Sequence, residues 1–549
     1  MLIDNFIDKL DDKKIMLFLG IFIISVFILD GFMDFPILTD MGIINYIAQS
    51  IVDGHTIYSA APEIKGPLTM ILDSVFIIAF SFVPNWLAIR IGMLGISLVS
   101  ILFFYKFSSK FFSSKLLGIY SVLILLSFDM FIEFSSIGEP KIVAMFLTIF
   151  VLYFSINKKY FYSGLFSGLC FLAWQPSVLI FLSPIVSIFL NEKSDINKFD
   201  FNKLFKKLFN AGIGLSIPIL SIILYFVVFS TFDDFLYYMI QFPIEYKSLA
   251  IERVDVSNFY TLFAYFGTEI LFFGLAFLGL LHYGWKSIVS VVKSGFRYSF
   301  RYIEDNKKYV IFFSPYLLLL MYTLFDLVNG DDLFIIFPAI IFLSVISLRG
   351  IINYVSRRFK FSLNKMKIIV LLFILFYGFF TVFQPLYPQN PIMDYEANFV
   401  EGSNLGLLDT IIQKYGFVES VFMYMTIRMG EEGTIEHQLN VSNYIQENTD
   451  EGEKILSLSA PEILFLSGRE NINKYIVIES TFLLNYFNQT GRLGEFSDEV
   501  KITKPKFIVL EESSYYRNPN IIEILELEEF LSDNYIELEF VKYTLYELK

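Results

Sequence analysis

The chain has 549 residues, of which 55% are apolar and only 18% are charged, and its formal net charge is −13. Such a composition is too apolar for a soluble globular protein, and apolar runs recur from Ile15 to about Phe383. A single Cys excludes a disulfide framework within the chain, and only three His argue against a His-based zinc site. The composition predicts a mainly α, polytopic helical membrane protein.

Apolar segments of membrane-spanning character follow one another along the chain. They cover residues 15–33, 68–83, 86–105, 116–132, 140–156, 161–175, 176–190, 209–230, 259–281, 309–326, 332–348 and 367–386. The division of 161–190 into two spans rests on Gln175-Pro176, and one long kinked helix is the alternative. Lys and Arg are concentrated in every second gap, which the positive-inside rule places in the cytoplasm.

Segment 68–83 decides the topology. If it crossed the membrane, the Lys-rich gap 106–115 would lie outside and Glu139 inside, against the charge bias. At about 16 residues the segment is also short for a span, so we predict a re-entrant or interfacial helix on the outer side. The prediction is then about 11 spans, a cytoplasmic N-terminus and an outer loop over 34–85 with juxtamembrane helices.

The last third of the chain has a different composition. From Asp394 to Lys549 there are 28 acidic and 12 basic side chains, whereas the rest of the chain is close to neutral. The runs KILSLSA and KFIVLEE are typical of strands, and IELEFVKYTLYEL of one or two terminal strands. The sequence predicts a membrane domain over 1–388 and a small, acidic, extracytoplasmic α/β domain over 389–549, whose charge argues against nucleic-acid binding.

Ionisable residues beside a membrane are candidate functional residues unless they are simply solvated. Asp40 lies a few residues beyond the first span, and the apolar face of the following MGIINYIAQSIVDG predicts an amphipathic helix along the membrane surface. Asp40 falls in the N-cap region of this helix, so a carboxylate that only caps backbone amides is one interpretation. Likewise Lys65 could be an interfacial cation and Glu139 a helix cap.

Other residues of the membrane domain receive structural interpretations. These are Arg90 as a structural residue, Asp233-Asp234 and Asp331-Asp332 as solvated pairs, and Tyr58 and Trp86 as interfacial anchors.

Several short motifs together resemble a known family. They are an Asp just after the first span, DGHTIY at the end of the surface helix, then EIKGPL, AIRIG, SSIGEPKIVAMFLTIFVLYF, the Gly-rich YSGLFSGLCFLAWQPSVLIFLSPIV and DDLFIIFPAIIFLS. This layout is similar to the C-type (GT-C) membrane glycosyltransferases, and within them to the protein O-mannosyltransferase and lipid A aminoarabinose transferase branch. The sequence departs from the family at Gly66, which follows Lys65 where the family has Pro, and at Trp174 and 329–332.

The resemblance implies that a sugar is moved from a polyprenyl (dolichyl-type) phosphate donor to an acceptor hydroxyl at the outer face of the cell membrane, with inversion. It assigns Asp40 as the general base, and Glu139 would be the second catalytic carboxylate. Cations must hold the anionic leaving phosphate. The candidate substrate-binding residues are Glu63, Lys65, Lys247 and Arg253. The sequence requires no cofactor with certainty, and a divalent metal ion at Asp40 and Glu139 is left open.

The expected partners are the lipid-linked donor, a protein, lipid or glycan acceptor, and membrane lipids. Two other classes stay open at this point. A transporter or lipid flippase needs ionisable residues in mid-span, for which Asp73 and Asp129 are the candidates. A surface receptor or assembly factor would use the C-terminal domain to bind a partner. This class does not explain why Asp40, Glu63 and Lys65 lie together in one loop at the membrane surface.

Overall fold

The structure is a computed structural model that describes residues 7, 10–29, 32–192, 200–242, 270–281, 306–325, 330–382, 435–477, 487, 491–511 and 521–549. Within these residues the chain is mainly helical and carries a small sheet at its C-terminal end, which confirms the expected fold class. The predicted domain boundary near 388 lies outside the described residues, and so does the first part of the predicted span 259–281.

Fifteen helices precede the C-terminal domain in the described residues. They are α1 (Asp12–Leu29), α2 (Thr39–Val52), α3 (Pro67–Ala79), α4 (Asn85–Phe112), α5 (Lys115–Leu125), α6 (Asp129–Ser136), α7 (Pro140–Ile156), α8 (Tyr160–Ala173), α9 (Leu182–Glu192), α10 (Phe201–Val228), α11 (Phe232–Leu236), α12 (Ile270–Leu281), α13 (Lys307–Phe325), α14 (Phe337–Arg358) and α15 (Leu363–Val382). Short 3-10 segments precede α9 and α14.

Four helical stretches in the described part of the chain are long and apolar enough to cross a membrane, judged by length and composition. They are Asn85–Phe112, Gln175–Glu192, Phe201–Val228 and Asp332–Arg358. Shorter apolar helices, α3, α5, α7, α8 and α12, accompany them. At 13 residues α3 is too short to cross a bilayer as a straight helix, in keeping with its interpretation as a re-entrant or interfacial helix.

Two predicted boundaries have different outcomes. The chain breaks at the predicted Gln175-Pro176, because α8 ends at Ala173 and Trp174 is extended. The predicted span 116–132, in contrast, is not one helix, since α5 ends at Leu125 and α6 begins at Asp129. Between them the Ser127 hydroxyl donates to the carbonyl four residues earlier at 2.7 Å, a bond that often bends helices.

The chain divides into two compact units. The first comprises Met1–Phe32, Leu94–Leu224 and Glu252–Met429, and the second comprises Met33–Met93, Tyr225–Ile251 and Gly430–Lys549. The predicted outer loop 34–85 therefore belongs to the same unit as the C-terminal domain.

In the first unit, α8 and α10 approach each other through glycines. A Cβ atom built on Gly164 would lie 1.9 Å from the Ala211 carbonyl oxygen, and one built on Gly168 would lie 2.4 Å from that of Leu215. On the facing helix, a Cβ on Gly214 would lie 2.1 Å from the Phe161 carbonyl oxygen. Small residues four apart let two helix backbones come into contact, and dispersion between them then stabilises the pair in a membrane.

The C-terminal domain combines helices with a four-stranded sheet. Its elements are α16 (Ile435–Glu447), β1 (Leu456–Ser457), α17 (Pro461–Ser467), α18 (Leu493–Thr503), β2 (Phe507–Glu511), α19 (Ile521–Ile524), α20 (Glu528–Asn534), β3 (Tyr535–Phe540) and β4 (Tyr543–Leu548). The strand order is β1-β2-β4-β3, with β1 parallel to β2 and β4 antiparallel to both of its neighbours. The strand-like runs of the sequence are thus strands, and the terminal run is a hairpin that turns at Lys542, where φ is 68°.

A buried carboxyl lies in the core of this domain. Glu462 is 1% exposed, and its Oε1 accepts a hydrogen bond from the Tyr543 hydroxyl at 2.8 Å. Burial raises the pKa of Glu462 well above its ordinary value of 4.5, and the neighbouring Glu511 raises it further. The folded domain therefore holds this proton more tightly than the unfolded chain does.

This difference predicts a pH dependence of stability. The contribution of Glu462 to the free energy of unfolding is expected to be fully present below pH 4.5 and to be lost as the pH rises through its raised pKa. The Glu462→Gln variant keeps an acceptor for Tyr543 but has no proton to lose, so its melting temperature is expected to decline less than that of the parent as the pH is raised above 4.5. If the melting temperatures of the parent and the variant fall equally with pH, Glu462 is not the group responsible.

Candidate active site

The first part of the site is the start of α2. The helix begins at Thr39, its N-cap is Leu38, and no side chain caps it, so Asp40 lies in the first turn and is not the cap that one interpretation expected. The Asp40 carboxylate instead accepts a hydrogen bond from the Lys65 ammonium group, with Nζ and Oδ2 2.6 Å apart. The Asp40 side chain is 57% exposed and that of Lys65 only 10%, so the pair presents the carboxylate outward.

Lys65 is held by the loop that leads from α2 to α3. The Tyr58 hydroxyl donates to the Lys65 carbonyl oxygen at 2.9 Å, and the Lys65 amide donates to Glu63 Oε1 at 3.0 Å. Pro67 then starts α3 at its first turn, where its missing N–H needs no partner. The backbone amide and carbonyl of Lys65 are thus both bound to side chains. Because the backbone is fixed, the positions that the ammonium group can reach are limited.

Tyr58 was expected at the membrane interface, but it is 1% exposed and takes part in the site. Its ring stacks on Phe226 with centroids 5.8 Å apart and lies 5.6 Å from the ring of Tyr238. Its backbone has φ of 68°, a left-handed conformation that is strained for a bulky residue and that concentrates at functional positions. The sequence signal for this residue was its place in DGHTIY.

Glu63 is a buried carboxyl that interacts with both members of the ion pair. Burial raises its pKa, the adjacent Lys65 opposes that rise, and the negative charge of Asp40 adds to it. Glu63 therefore gains a proton more readily than an exposed glutamate does, while Asp40 is the carboxylate that meets solvent.

Helices α2 and α3 are joined by a buried polar contact. Asn45 Nδ2 donates to Asp73 Oδ2 at 3.1 Å, and both side chains are buried. Asp73, the candidate pathway residue of a transporter, thus packs in the α2–α3 contact. Near the start of α4, the Arg90 guanidinium donates to the Phe35 carbonyl and lies 5.3 Å from the Trp86 ring, which agrees with its structural interpretation.

The second predicted carboxylate, Glu139, lies in the other compact unit. It is 1% exposed, and it caps α7, with its Oε1 accepting a hydrogen bond from the Lys141 amide at 3.3 Å. Lys141 Nζ forms an ion pair with Asp332 at 2.9 Å, and Asp332 is only 14% exposed. The interpretation of Asp332 as a solvated residue was therefore wrong, and the Lys141–Asp332 pair was missed because its members are far apart in sequence.

Two predicted substrate-binding residues, Lys247 and Arg253, lie outside the described residues. Among the residues that the structure does describe, no group of three or more His, Cys, Asp or Glu side chains is arranged to hold a metal ion. The arrangement around α2 and α3 offers an exposed carboxylate, a cation bound to it, and a buried carboxyl bonded to the backbone of the same lysine. Such a set can take up a proton and hold a phosphate.

Known proteins resemble this chain in structure but not in sequence. No family model and no curated protein matches the sequence. Solved structures do match, and at low sequence identity they share the fold of this chain. One is ArnT from Cupriavidus metallidurans bound to undecaprenyl phosphate, at 12% identity, with 98% of each chain covered and a TM-score of 0.57. ArnT in the apo state gives 13% identity, 97% coverage of each chain and a TM-score of 0.56. The resemblance expected from the short motifs is confirmed for the fold.

Proposed function

We propose that this chain is a membrane glycosyltransferase that takes a sugar from a polyprenyl-phosphate donor and places it on an acceptor hydroxyl. The observation that carries the proposal is the Asp40–Lys65 pair, in which the exposed carboxylate and the buried ammonium group are 2.6 Å apart. The shared fold with ArnT, which was solved with undecaprenyl phosphate, supports the same donor class.

The residues have separate parts in the proposed reaction. The acceptor oxygen attacks the anomeric carbon while its proton passes to the Asp40 carboxylate, and the bond from that carbon to the phosphate oxygen breaks. Polyprenyl phosphate leaves with the bonding electrons, and the Lys65 ammonium group balances its charge. The leaving group needs no acid because it is already an anionic phosphate, and a single displacement inverts the anomeric centre.

Glu139 is proposed as the second catalytic carboxylate. Its burial and its cap bond to the Lys141 amide fit a residue that is rigidly held. Glu63 would orient Lys65 or bind sugar hydroxyls, and Lys247 and Arg253 would add positive charge at the phosphate. We propose that the site lies on the outer face of the cell membrane, with the N-terminus in the cytoplasm and the C-terminal domain outside.

The test is transfer of radiolabelled sugar. Membranes that contain the protein are supplied with a panel of polyprenyl-phosphate sugars and a crude cell-envelope acceptor fraction. Radioactivity is expected in acceptor with at least one donor. If a folded protein transfers no sugar from any donor of the panel, the proposed function is wrong.

Lys65→Gln is expected to weaken the binding of undecaprenyl phosphate. Loss of a charge-assisted hydrogen bond costs about 1.5–3 kcal/mol, or about 10-fold to 150-fold in Kd. Binding of the lipid phosphate to purified protein measures this without any sugar transfer. Lys454→Gln is the matched control, because Lys454 forms an exposed ion pair with Glu470 in the C-terminal domain. Equal Kd values for the two variants contradict the phosphate role of Lys65.

A further inference from the structure

The C-terminal domain binds the backbone just ahead of Asp40 through one side-chain amide. The Ile37 amide donates to Gln438 Oε1 at 2.9 Å, and Gln438 Nε2 donates to the Ile37 carbonyl oxygen at 2.8 Å. Ile37 is 4% exposed and Gln438 5%. The Gln438 side-chain amide therefore binds both the N–H and the carbonyl of Ile37, as the backbone of a neighbouring β-strand would.

A chain of buried hydrogen bonds orients this amide. Gln438 Nε2 also donates to the Tyr543 hydroxyl oxygen at 3.2 Å, and the Tyr543 hydroxyl donates its own proton to Glu462 at 2.8 Å. Because the hydroxyl proton is used by Glu462, the tyrosine oxygen can only accept from Gln438. The three side chains are all buried, so a reversed amide would leave polar groups without partners.

Further contacts bind the same stretch to the C-terminal domain. The Ile435 amide donates to the Asp34 carbonyl oxygen at 3.1 Å. A Cβ atom built on Gly42 would lie 2.6 Å from the Glu462 backbone nitrogen, so α2 and α17 are in backbone contact one turn after the start of α2. The segment from Asp34 to Gly42, with Asp40 inside it, is thus packed directly against α16 and α17.

The cation of the pair is held in a different way. Lys65 is bound by Tyr58 and Glu63, which belong to its own loop. The two members of the proposed catalytic pair are therefore positioned by separate parts of the chain. The contacts with the C-terminal domain act on the backbone before Asp40, and those of Tyr58 and Glu63 act on the backbone of Lys65.

We infer that Gln438 is a positioning residue for Asp40, through its two hydrogen bonds to Ile37, and that the C-terminal domain thereby forms part of the site that transfers the sugar. The inference rests on the proposed function. Ile37 is three residues before Asp40, and the carbonyl of the intervening Leu38 accepts the first helical hydrogen bond of α2, from Gly42 at 2.7 Å. A shift of Ile37 is therefore passed directly to the first turn that carries Asp40.

The test uses the full-length protein with Gln438→Met and Gln438→Glu. Met has a similar length but no amide, whereas Glu keeps the shape and replaces the donor toward the Ile37 carbonyl with an oxygen. Both variants are expected to lower kcat about 10-fold to 100-fold, as a displacement of about 1 Å can do, while KM for the donor stays within about 3-fold. Amide hydrogen exchange over residues 37–42 is expected to become faster.

Gln446→Glu is the matched control on the same helix. Its amide donates to the carbonyls of Leu466 and Ser467, and not to the segment before Asp40. This variant is expected to match the parent in kcat and in exchange over 37–42. If Gln438 had only a structural role, its variants would lower the melting temperature, but kcat would not fall selectively while KM stayed unchanged.

The outcomes separate the inference from the proposed function. Parental kcat and parental exchange in both Gln438 variants overturn the inference, and so does a parental kcat with faster exchange. Loss of the folded C-terminal domain in both variants also overturns it, because Gln438 is then needed for the whole domain. If the parent itself transfers no sugar, the proposed function fails, and unchanged exchange over 37–42 would still refute the contact on its own.

Discussion

Asp40→Asn is expected to lower the rate of sugar transfer by about 10²-fold to 10⁴-fold, the usual contribution of a general base. Asn has the size of Asp but cannot accept the acceptor's proton. The same change removes the negative charge that competes with a phosphate for the Lys65 ammonium group, which lies 2.6 Å from Asp40. Binding of undecaprenyl phosphate is therefore expected to stay as tight as in the parent or to become tighter, so that kcat falls while lipid binding does not.

The measurement combines initial rates of transfer with the Kd for undecaprenyl phosphate. Asp53→Asn is a suitable control because Asp53 is a carboxylate at the other end of α2, where it accepts hydrogen bonds from Gln49 at 3.0 and 3.1 Å. A parental rate in Asp40→Asn removes Asp40 from the role of base. A loss of rate accompanied by an equal loss of lipid binding points instead to a structural role for the ion pair.

Gly164→Leu is expected to destabilise the membrane domain strongly. A Cβ at this position would already lie 1.9 Å from the Ala211 carbonyl oxygen of α10, and a backbone atom cannot rotate away as a side chain can. The two helices must separate, which loses the dispersion energy of their contact and leaves voids on either side. Overpacking in a core costs about 1–3 kcal/mol, and a Leu against a helix backbone belongs to the upper end of that range or beyond.

The yield of monodisperse protein in detergent and its melting temperature measure this effect. Gly212→Leu provides the matched control, since Gly212 lies on the facing helix α10 and a Cβ there would meet no atom within 4 Å. That variant is expected to be produced and to melt as the parent does, because Leu is also the better helix former. Similar behaviour of the two variants would mean that α8 and α10 are not closely packed.

The Asp40–Lys65 pair and the Lys141–Asp332 pair differed in how far they could be predicted. Asp40, Glu63 and Lys65 lie within the predicted outer loop 34–85, and the short apolar helices of that segment could be recognised from local periodicity. Their pairing could not, because Asp40 in the first turn of a helix is equally suited to capping it. Lys141 and Asp332 carry no local signal at all, since each looks like a solvated charge beside an apolar run.

By itself the sequence determined that this protein is a helical membrane protein with a small C-terminal α/β domain, and it singled out the loop that carries Asp40. Those features follow from composition, hydrophobic periodicity and charge, which act over a few residues at a time. Only the tertiary structure decided that Lys65 binds Asp40, and that Gln438, 401 residues from Ile37, binds the backbone ahead of it. Such contacts depend on how distant elements pack. The sequence does not show whether a polar side chain is bound to water or to a buried carbonyl.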